Sequence, residues 1–413
     1  MSKSSEIAVP NVPEMPMRSK ALIIFLCFLV AVLEGYDLQA IGVALPLLET
    51  DMDLSNQDKG IILSGTMIGL MIGAIIGGWL GDRLGRKMTL AFSVLVFGAA
   101  TIATAWAFDA SSLTAYRLVT GIGIGAAMPN IMAIATDISS ENNRAFTGML
   151  MFCGFPVGAV GVAYLAQTVP DLDWKIIFYM GGIIPVILLP LFKFMPETAP
   201  AASSTSVRQT NGSINALFGG GRLPLTILLW TAFSLTLVIL YLMLNWLPTL
   251  IVEKGMSRQE GASAALAFNI GSVLGALALG LLVDRIGLRW PLLAAYAILF
   301  TALALLANAS DLSEILAYSA IVGACCVGSQ FALYGAAPAF YPPAARSIGA
   351  GAAIATGRTG AIAGPLAAGL LMQGGMSGDE VLLAIAPIVA LGGASVVAVS
   401  FFKQYRSSAT AHR

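Results

Sequence analysis

Gly78-Trp79-Leu80-Gly81-Asp82-Arg83-Leu84-Gly85-Arg86-Lys87 is a short polar break between two apolar runs, and Gly280-Leu281-Leu282-Val283-Asp284-Arg285-Ile286-Gly287-Leu288-Arg289 repeats it. Asp82 aligns with Asp284, Arg83 with Arg285 and Gly85 with Gly287. The second copy lacks the Arg86-Lys87 ending and is the degenerate one. Each copy stands between the second and third apolar runs of its own half, where a parallel duplication would put it. The chain therefore reads as two related halves.

Composition agrees with that pattern and says what solvent it needs. Of 413 residues, 57% are hydrophobic and 11% charged, with a mean hydropathy of +0.84, whereas a soluble domain carries about 25% charged residues. Apolar runs of about 20 residues cross a bilayer core of roughly 30 Å. Such runs fall at roughly 21–47, 60–80, 88–108, 112–134, 146–168, 174–194, 223–247, 261–283, 290–308, 313–336, 347–373 and 380–402. The expected fold is an all-α membrane protein with 12 transmembrane helices in two pseudo-symmetric six-helix bundles, 21–196 and 223–402. Residues 197–222, rich in Pro, Ser, Thr and Gly, read as a polar linker. Residues 1–20, with Pro10, Pro13 and Pro16 and no small-residue cleavage motif, read as a tail and not a signal peptide, and 403–413 as a second tail.

Lys and Arg set the expected orientation, because cytoplasmic loops keep positive charge. Lys3, Arg18, Lys20, Arg83, Arg86, Lys87, Arg144, Lys193, Arg208, Arg222, Arg285, Arg289, Arg346, Lys403, Arg406 and Arg413 fall on one side, with only Lys59, Lys175, Lys254 and Arg258 on the other. The first side, both termini and the linker included, is expected to be cytoplasmic. Cys27, Cys153, Cys325 and Cys326 sit inside apolar runs, and His412 lies in a polar tail. No disulfide, metal or cofactor is expected from them.

Ionisable groups within the apolar runs are costly, and their usual reason is a partner or a water-filled route. Four stand out: Glu34, Asp37, Arg117 and Arg358. Glu34 falls near the middle of the first span, with Asp37 three residues on, on a similar face. Two acids so close in low dielectric oppose each other's ionisation, which suits a group that gains and loses a proton. Either acid could instead brace Arg117 or Arg358 structurally. Gly35 between them admits another backbone or a ligand. Arg358 offers a planar fork that fits a carboxylate, with a structural ion pair as the alternative. Tyr241, Asn245 and Trp246 in the seventh span, and Gln330, Phe331 and Tyr334 in the tenth, are spaced to share helix faces. On a cavity wall they would stack on and hydrogen-bond a flat substrate; Trp246 near its span's end also suits an interfacial belt.

The Gly78–Lys87 stretch matches the cytoplasmic-loop signature of the major facilitator superfamily, and the resemblance covers the whole chain. Arg117-Leu118-Val119-Thr120-Gly121-Ile122-Gly123-Ile124-Gly125 and Pro196-Glu197-Thr198 agree with it. The resemblance implies a central cavity lined by spans 1, 4, 7 and 10, with the halves rocking around it. Asp82, Arg83, Gly85, Arg86 and Lys87, with Asp284 and Arg285, then read as a salt-bridged latch between helices, joined by Asp137, Glu141 and Arg144. Arg117, part of a superfamily-wide motif, reads as a coupling or structural residue.

Within that superfamily, Leu33-Glu34-Gly35-Tyr36-Asp37-Leu38-Gln39-Ala40 resembles the first-span signature of the aromatic acid:proton symporters, with Glu in place of the usual first Asp. Asn245-Trp246-Leu247-Pro248 and Gly357-Arg358-Thr359-Gly360 are similar to further marks of that family, and the Glu-Gly-x-Asp-Leu-Gln-Ala form looks most like its 3-(3-hydroxyphenyl)propionate transporters. The resemblance implies a monomeric importer, not an enzyme, in a bacterial inner membrane, whose partners are protons, a small aromatic carboxylate and lipid, with no nucleic acid. Three alternatives share these features: a proton-coupled drug exporter, for which Cys153-Gly154-Phe155-Pro156-Val157-Gly158 is only a partial match; a symporter of non-aromatic monocarboxylates; and a membrane-embedded sensor.

Overall fold

The computed structural model describes residues 16–139, 144–169, 172–197, 217–342 and 345–402, and their regular structure is helical throughout. Glu141, most of the expected linker and tails, and the side chain of Arg144 lie outside the described residues. The first half consists of α1 (Met17–Met52), α2 (Asn56–Leu84), α3 (Arg86–Thr104), α4 (Ala110–Ile138), α5 (Arg144–Thr168) and α6 (Trp174–Leu188), the last continued by a 3-10 turn, Leu189–Phe194. The second consists of α7 (Leu223–Glu253), α8 (Arg258–Ile286), α9 (Arg289–Asn308), α10 (Leu312–Ala336) and α11 (Arg346–Gln373), followed by α12 (Gly378–Val399). Eleven of these helices are long and apolar enough to cross a membrane. The remaining one, α11, has 28 residues, about 42 Å at 1.5 Å each. Its glycines, alanines and Arg358 make it less apolar. α12 is interrupted at Ile385, because Pro387 has no N–H to give the preceding turn.

Several helices overrun the apolar runs that predict them, because polar caps carry them past the lipid-facing stretch. Ser55 and Asp58 form a reciprocal cap on α2, and Ser257 with Glu260 does the same on α8. Asp109 caps α4 and Asp311 caps α10, each accepting from a serine backbone N–H. Hydrogen bonds from Ser112 hold the Asp109 carboxyl below the usual carboxylate range. Gly85 and Gly287 close α2 and α8 at φ of 97° and 84°, backbone that glycine alone adopts freely. The duplication seen in the loops thus extends to helix caps and to the turn that needs its glycine.

Within each half, small residues bring helices into close contact. α2 lays Gly69, Gly73 and Gly77 against the backbone of Leu118, Ile122 and Ala126 of α4. In the second half, α8 lays Gly271 and Gly275 against Ala320 and Ala324 of α10. Without a water-driven force inside lipid, such close packing is the main attraction between helices.

Short turns make the helices alternate in direction. One end of the molecule carries Arg83, Arg86, Arg285 and Arg289 and is called the basic end below. The other, with Glu49, Asp51, Glu253 and Asp379, is the acidic end. The halves meet through α1 with α7, α2 with α11 and α5 with α8. Toward the acidic end the approach is tight: Gly42 faces the Asn245 backbone, and Gly60 faces Pro365 and Gly369.

Adjacent glycines offer a test of this packing. A Cβ on Gly77 would sit 2.3 Å from the Ala126 Cα, whereas one on Gly78 meets nothing within 4 Å. Gly77→Ala is expected to destabilise the purified protein by about 1–3 kcal/mol, read as a lowered thermal unfolding midpoint in detergent, and Gly78→Ala to leave that midpoint unchanged or slightly raised.

Candidate functional site

At 3.6 residues per turn, three residues of α1 leave Glu34 and Asp37 about 60° apart around the helix, and the structure uses that angle to separate them. Asp37 turns toward α3 and α4. Its Oδ2 lies 2.5 Å from Arg117 Nη2, and the Thr101 hydroxyl donates to Oδ1 at 2.7 Å. Both ions are fully buried, and the Arg117 guanidinium also lies 5.4 Å from the Phe178 ring centre. Glu34 faces the other way, between the halves, and neither of its carboxylate oxygens has a hydrogen-bond partner among the described residues. The two acids are set apart: Glu34 has no hydrogen-bond partner among the described residues and Asp37 is paired. Gly35 serves the approach of a backbone, that of Phe155 in α5.

Glu34 lies on the wall of a chamber of about 590 Å³. Residues of α1, α2, α4, α5, α7, α8, α10 and α11 line it, twice the four helices expected from the resemblance, while α3, α6, α9 and α12 contribute none. The reason is geometric: the tightly packed pairs α1/α5, α2/α4, α7/α11 and α8/α10 each present two helices to the midline. The lining is largely apolar, with Met71, Met128, Met132, Phe155 and Phe268 among its larger side chains. Glu34 and Arg358 are its acid and its base. They are close enough for their charges to act on each other, yet no ion pair joins them. Arg358 Nη1 instead donates to the Tyr241 hydroxyl at 3.2 Å.

Of the aromatic and amide residues expected at the site, Tyr241, Gln330, Phe331 and Tyr334 line the chamber with Arg358, and Asn245 and Trp246 do not. Asn245 is buried one turn beyond Tyr241 and donates to the Tyr241 carbonyl at 2.8 Å. Trp246 is also fully buried, not at a lipid interface, and its indole N–H donates to the Pro365 carbonyl at 3.1 Å, fixing α7 to α11. Sequence spacing put them on the right helix but could not say which neighbour each would meet.

Sequence reading also missed residues. Phe152 of α5 stacks on Tyr334 at 5.6 Å and lies 5.8 Å from Phe331, so rings from both halves meet across the basic side of the chamber. On the acidic side, Gln39 of α1 donates to the Leu244 carbonyl of α7 at 2.9 Å and accepts from Asn269 of α8 at 3.0 Å. A lone amide in the apolar eighth span was the signal available for Asn269. For Phe152, one more aromatic in an apolar run, there was none.

In the loops, Arg86 forms an ion pair with Asp137. Oε1 of Glu197, not counted in the expected latch, accepts from the Lys87 backbone N–H at 3.2 Å beneath Gly85. Arg83 stacks over Trp79 at 4.2 Å, while Asp82, Asp284 and Arg285 are exposed. These contacts stay within the first half. At the acidic end, Lys59 is buried against Glu49 at 2.8 Å, and Lys254 reaches Asp379 at 2.5 Å and the Ala307 carbonyl at 2.7 Å. Two of the four cations that break the charge rule are therefore paired.

Comparison with known proteins agrees with this architecture. The family model described as Major Facilitator Superfamily matches residues 27–279 and 254–412. A 3-(3-hydroxy-phenyl)propionate transporter of Escherichia coli (strain K12) is 38% identical over 376 residues, covering 91% of this chain and 93% of that protein. The 4-hydroxybenzoate transporter PcaK of Pseudomonas putida is 31% identical, covering 91% of each, and a gallate transporter of the same species is 32% identical, covering 86% of each. Among solved structures, the inward open xylose transporter XylE from E. coli superposes with a TM-score of 0.74 at 15% identity, over 94% of this chain and 98% of that one. The two-bundle helical fold, the loop signature and the sequence matches place this chain in the major facilitator superfamily.

Proposed function

We propose that this chain is a proton-coupled symporter that imports an aromatic carboxylate, of hydroxyphenylpropionate or hydroxybenzoate type, by alternating access, with the basic end in the cytoplasm of a bacterial inner membrane. The observation that carries the reading is Glu34: a buried carboxyl without a hydrogen bond among the described residues, across a ring-lined chamber from Arg358. The relatives support the substrate class, since their names specify hydroxyphenylpropionate, hydroxybenzoate and gallate transport.

Charge balance gives the coupling a physical cause. Arg358 keeps its proton at any physiological pH. With the chamber empty, ionised Glu34 neutralises it. When a substrate carboxylate takes the Arg358 fork, the chamber gains a negative charge unless Glu34 takes up a proton. A proton without substrate, or substrate without a proton, leaves a net charge in a low-dielectric chamber, which is costly to enclose. The empty chamber and the doubly loaded one are the two neutral states, so they are the ones the halves close around. One proton then accompanies each carboxylate. Phe155 and Phe268 on the chamber wall supply faces for the substrate ring, while Phe152, Phe331 and Tyr334 cover its basic side. Asp37 and Arg117, already neutral as a pair, hold α1 to α4 and leave the titration to Glu34.

Uptake of labelled hydroxyphenylpropionates, hydroxybenzoates and short aliphatic acids, with and without a protonophore, tests the substrate class and the coupling together. In proteoliposomes an inward pH gradient should drive accumulation and a membrane potential alone should not; potential-driven uptake at uniform pH would contradict one-to-one coupling. Glu34→Gln should abolish gradient-driven accumulation while retaining counterflow exchange. Arg358→Ala should weaken binding about tenfold to a hundredfold, the usual loss for a hydrogen bond to a charged group. Asp37→Asn should act instead on folding, with about 3–5 kcal/mol lost as Arg117 is left unpaired, read as a lower unfolding midpoint and restored in part by Asp37→Asn combined with Arg117→Met.

A further inference from the structure

Two backbone carbonyls fix the orientation of the amides at the acidic side of the chamber. The Leu244 carbonyl can only accept, so the Gln39 group facing it at 2.9 Å is the NH2. Gln39 Oε1 then needs a donor and receives it from Asn269 Nδ2 at 3.0 Å. The second N–H of that nitrogen goes to the Ala265 carbonyl at 2.8 Å. Both donors of Asn269 are thereby spent, and what it offers the chamber is its carboxamide oxygen, an acceptor. One turn nearer the basic end on the same wall, Ser272 likewise spends its hydroxyl proton on the Phe268 carbonyl, at 2.8 Å.

Asn269 also lies at a useful depth. Five residues of α1 separate Gln39 from Glu34, a rise of about 7.5 Å toward the acidic end. Beyond Gln39 the halves close, with Gly42 against the Asn245 backbone. Asn269 therefore marks the floor of the chamber, about one aromatic ring beyond the level of Glu34.

We propose that Asn269 is a specificity residue whose carboxamide oxygen accepts the phenolic O–H of a substrate bound by its carboxylate near Arg358, so that the chamber selects aromatic acids bearing a hydroxyl at the end remote from the carboxylate. The inference rests on the aromatic-acid reading above and adds a direction to the hydrogen bond. Because Gln39 and the Ala265 carbonyl hold the amide in place, it cannot turn its NH2 to the ligand. A ring substituent that only accepts, such as a methoxy group, gains nothing there.

The test is equilibrium binding of three matched ligands to the purified full chain: 3-(3-hydroxyphenyl)propionate, 3-phenylpropionate and 3-(3-methoxyphenyl)propionate. The hydroxylated acid is expected to bind about tenfold more tightly than either of the others, and Asn269→Leu to bring the three affinities together. The wild-type comparison needs no variant, so it decides even if Asn269→Leu folds poorly. Equal affinity for the hydroxy and methoxy acids, or a preference for hydroxyl that survives in folded Asn269→Leu, overturns the assignment while leaving aromatic-acid binding intact. Failure to bind any of the three overturns both readings.

Discussion

A charge held between the two ends of this molecule has little water to solvate it, so each must find a counter-charge or remain free to change protonation. That constraint sorts the four ionisable residues singled out inside the spans into two kinds. Asp37 and Arg117 neutralise one another within the first half, across α1 and α4. Glu34 and Arg358 face each other across the line where the halves meet and make no ion pair. The first pair lies wholly within one half. The second lies where the halves meet, the place whose surroundings change under the proposed alternating access.

The packing serves the same division. Close contacts at Gly69, Gly73 and Gly77 hold α2 to α4, and those at Gly271 and Gly275 hold α8 to α10, each within its own half. Contacts between the halves are of a different kind. Toward the acidic end they are backbone against backbone, at Gly42 with Asn245, and hydrogen-bonded through Gln39 and Asn269. Toward the basic end they include rings, Phe152 upon Tyr334 and Phe331. Rings can slide or flip at less cost than a hydrogen-bonded amide network can be parted, because an amide torn from its partner in low dielectric is left unsatisfied. The contacts between the halves thus differ in kind at the two ends, and the aromatic ones lie on the side proposed to face the cytoplasm.

Much of this was legible in the sequence. The number and placement of helices followed from apolar run length, since lipid leaves a spanning chain few alternatives to a fully hydrogen-bonded helix. The duplication followed from Asp82-Arg83 and Asp284-Arg285, and the candidate charges from their presence inside apolar runs. Less legible were the helix ends, which depend on caps such as Ser55 with Asp58, and the break in α12. The expected latch was readable as a motif but not as a set of contacts: Arg86 pairs with Asp137, and Glu197 fills the turn at Gly85, while Asp82 and the second-copy residues face solvent.

What the sequence determined alone is whatever depends on local energetics: a helix wherever lipid demands one, a glycine at the positive-φ turns that close α2 and α8, and an ionisable group inside a span only with a reason to be there. What only the tertiary structure decided is which neighbour each side chain meets. About 60° of helical rotation sends Asp37 to Arg117 and Glu34 to the chamber. One turn of α7 separates Tyr241, which lines the chamber, from Asn245 and Trp246, which do not. The orientation of Asn269 is set by two carbonyls on two different helices. Such choices are fixed by the angles and separations at which whole helices pack, quantities that no single run of residues encodes.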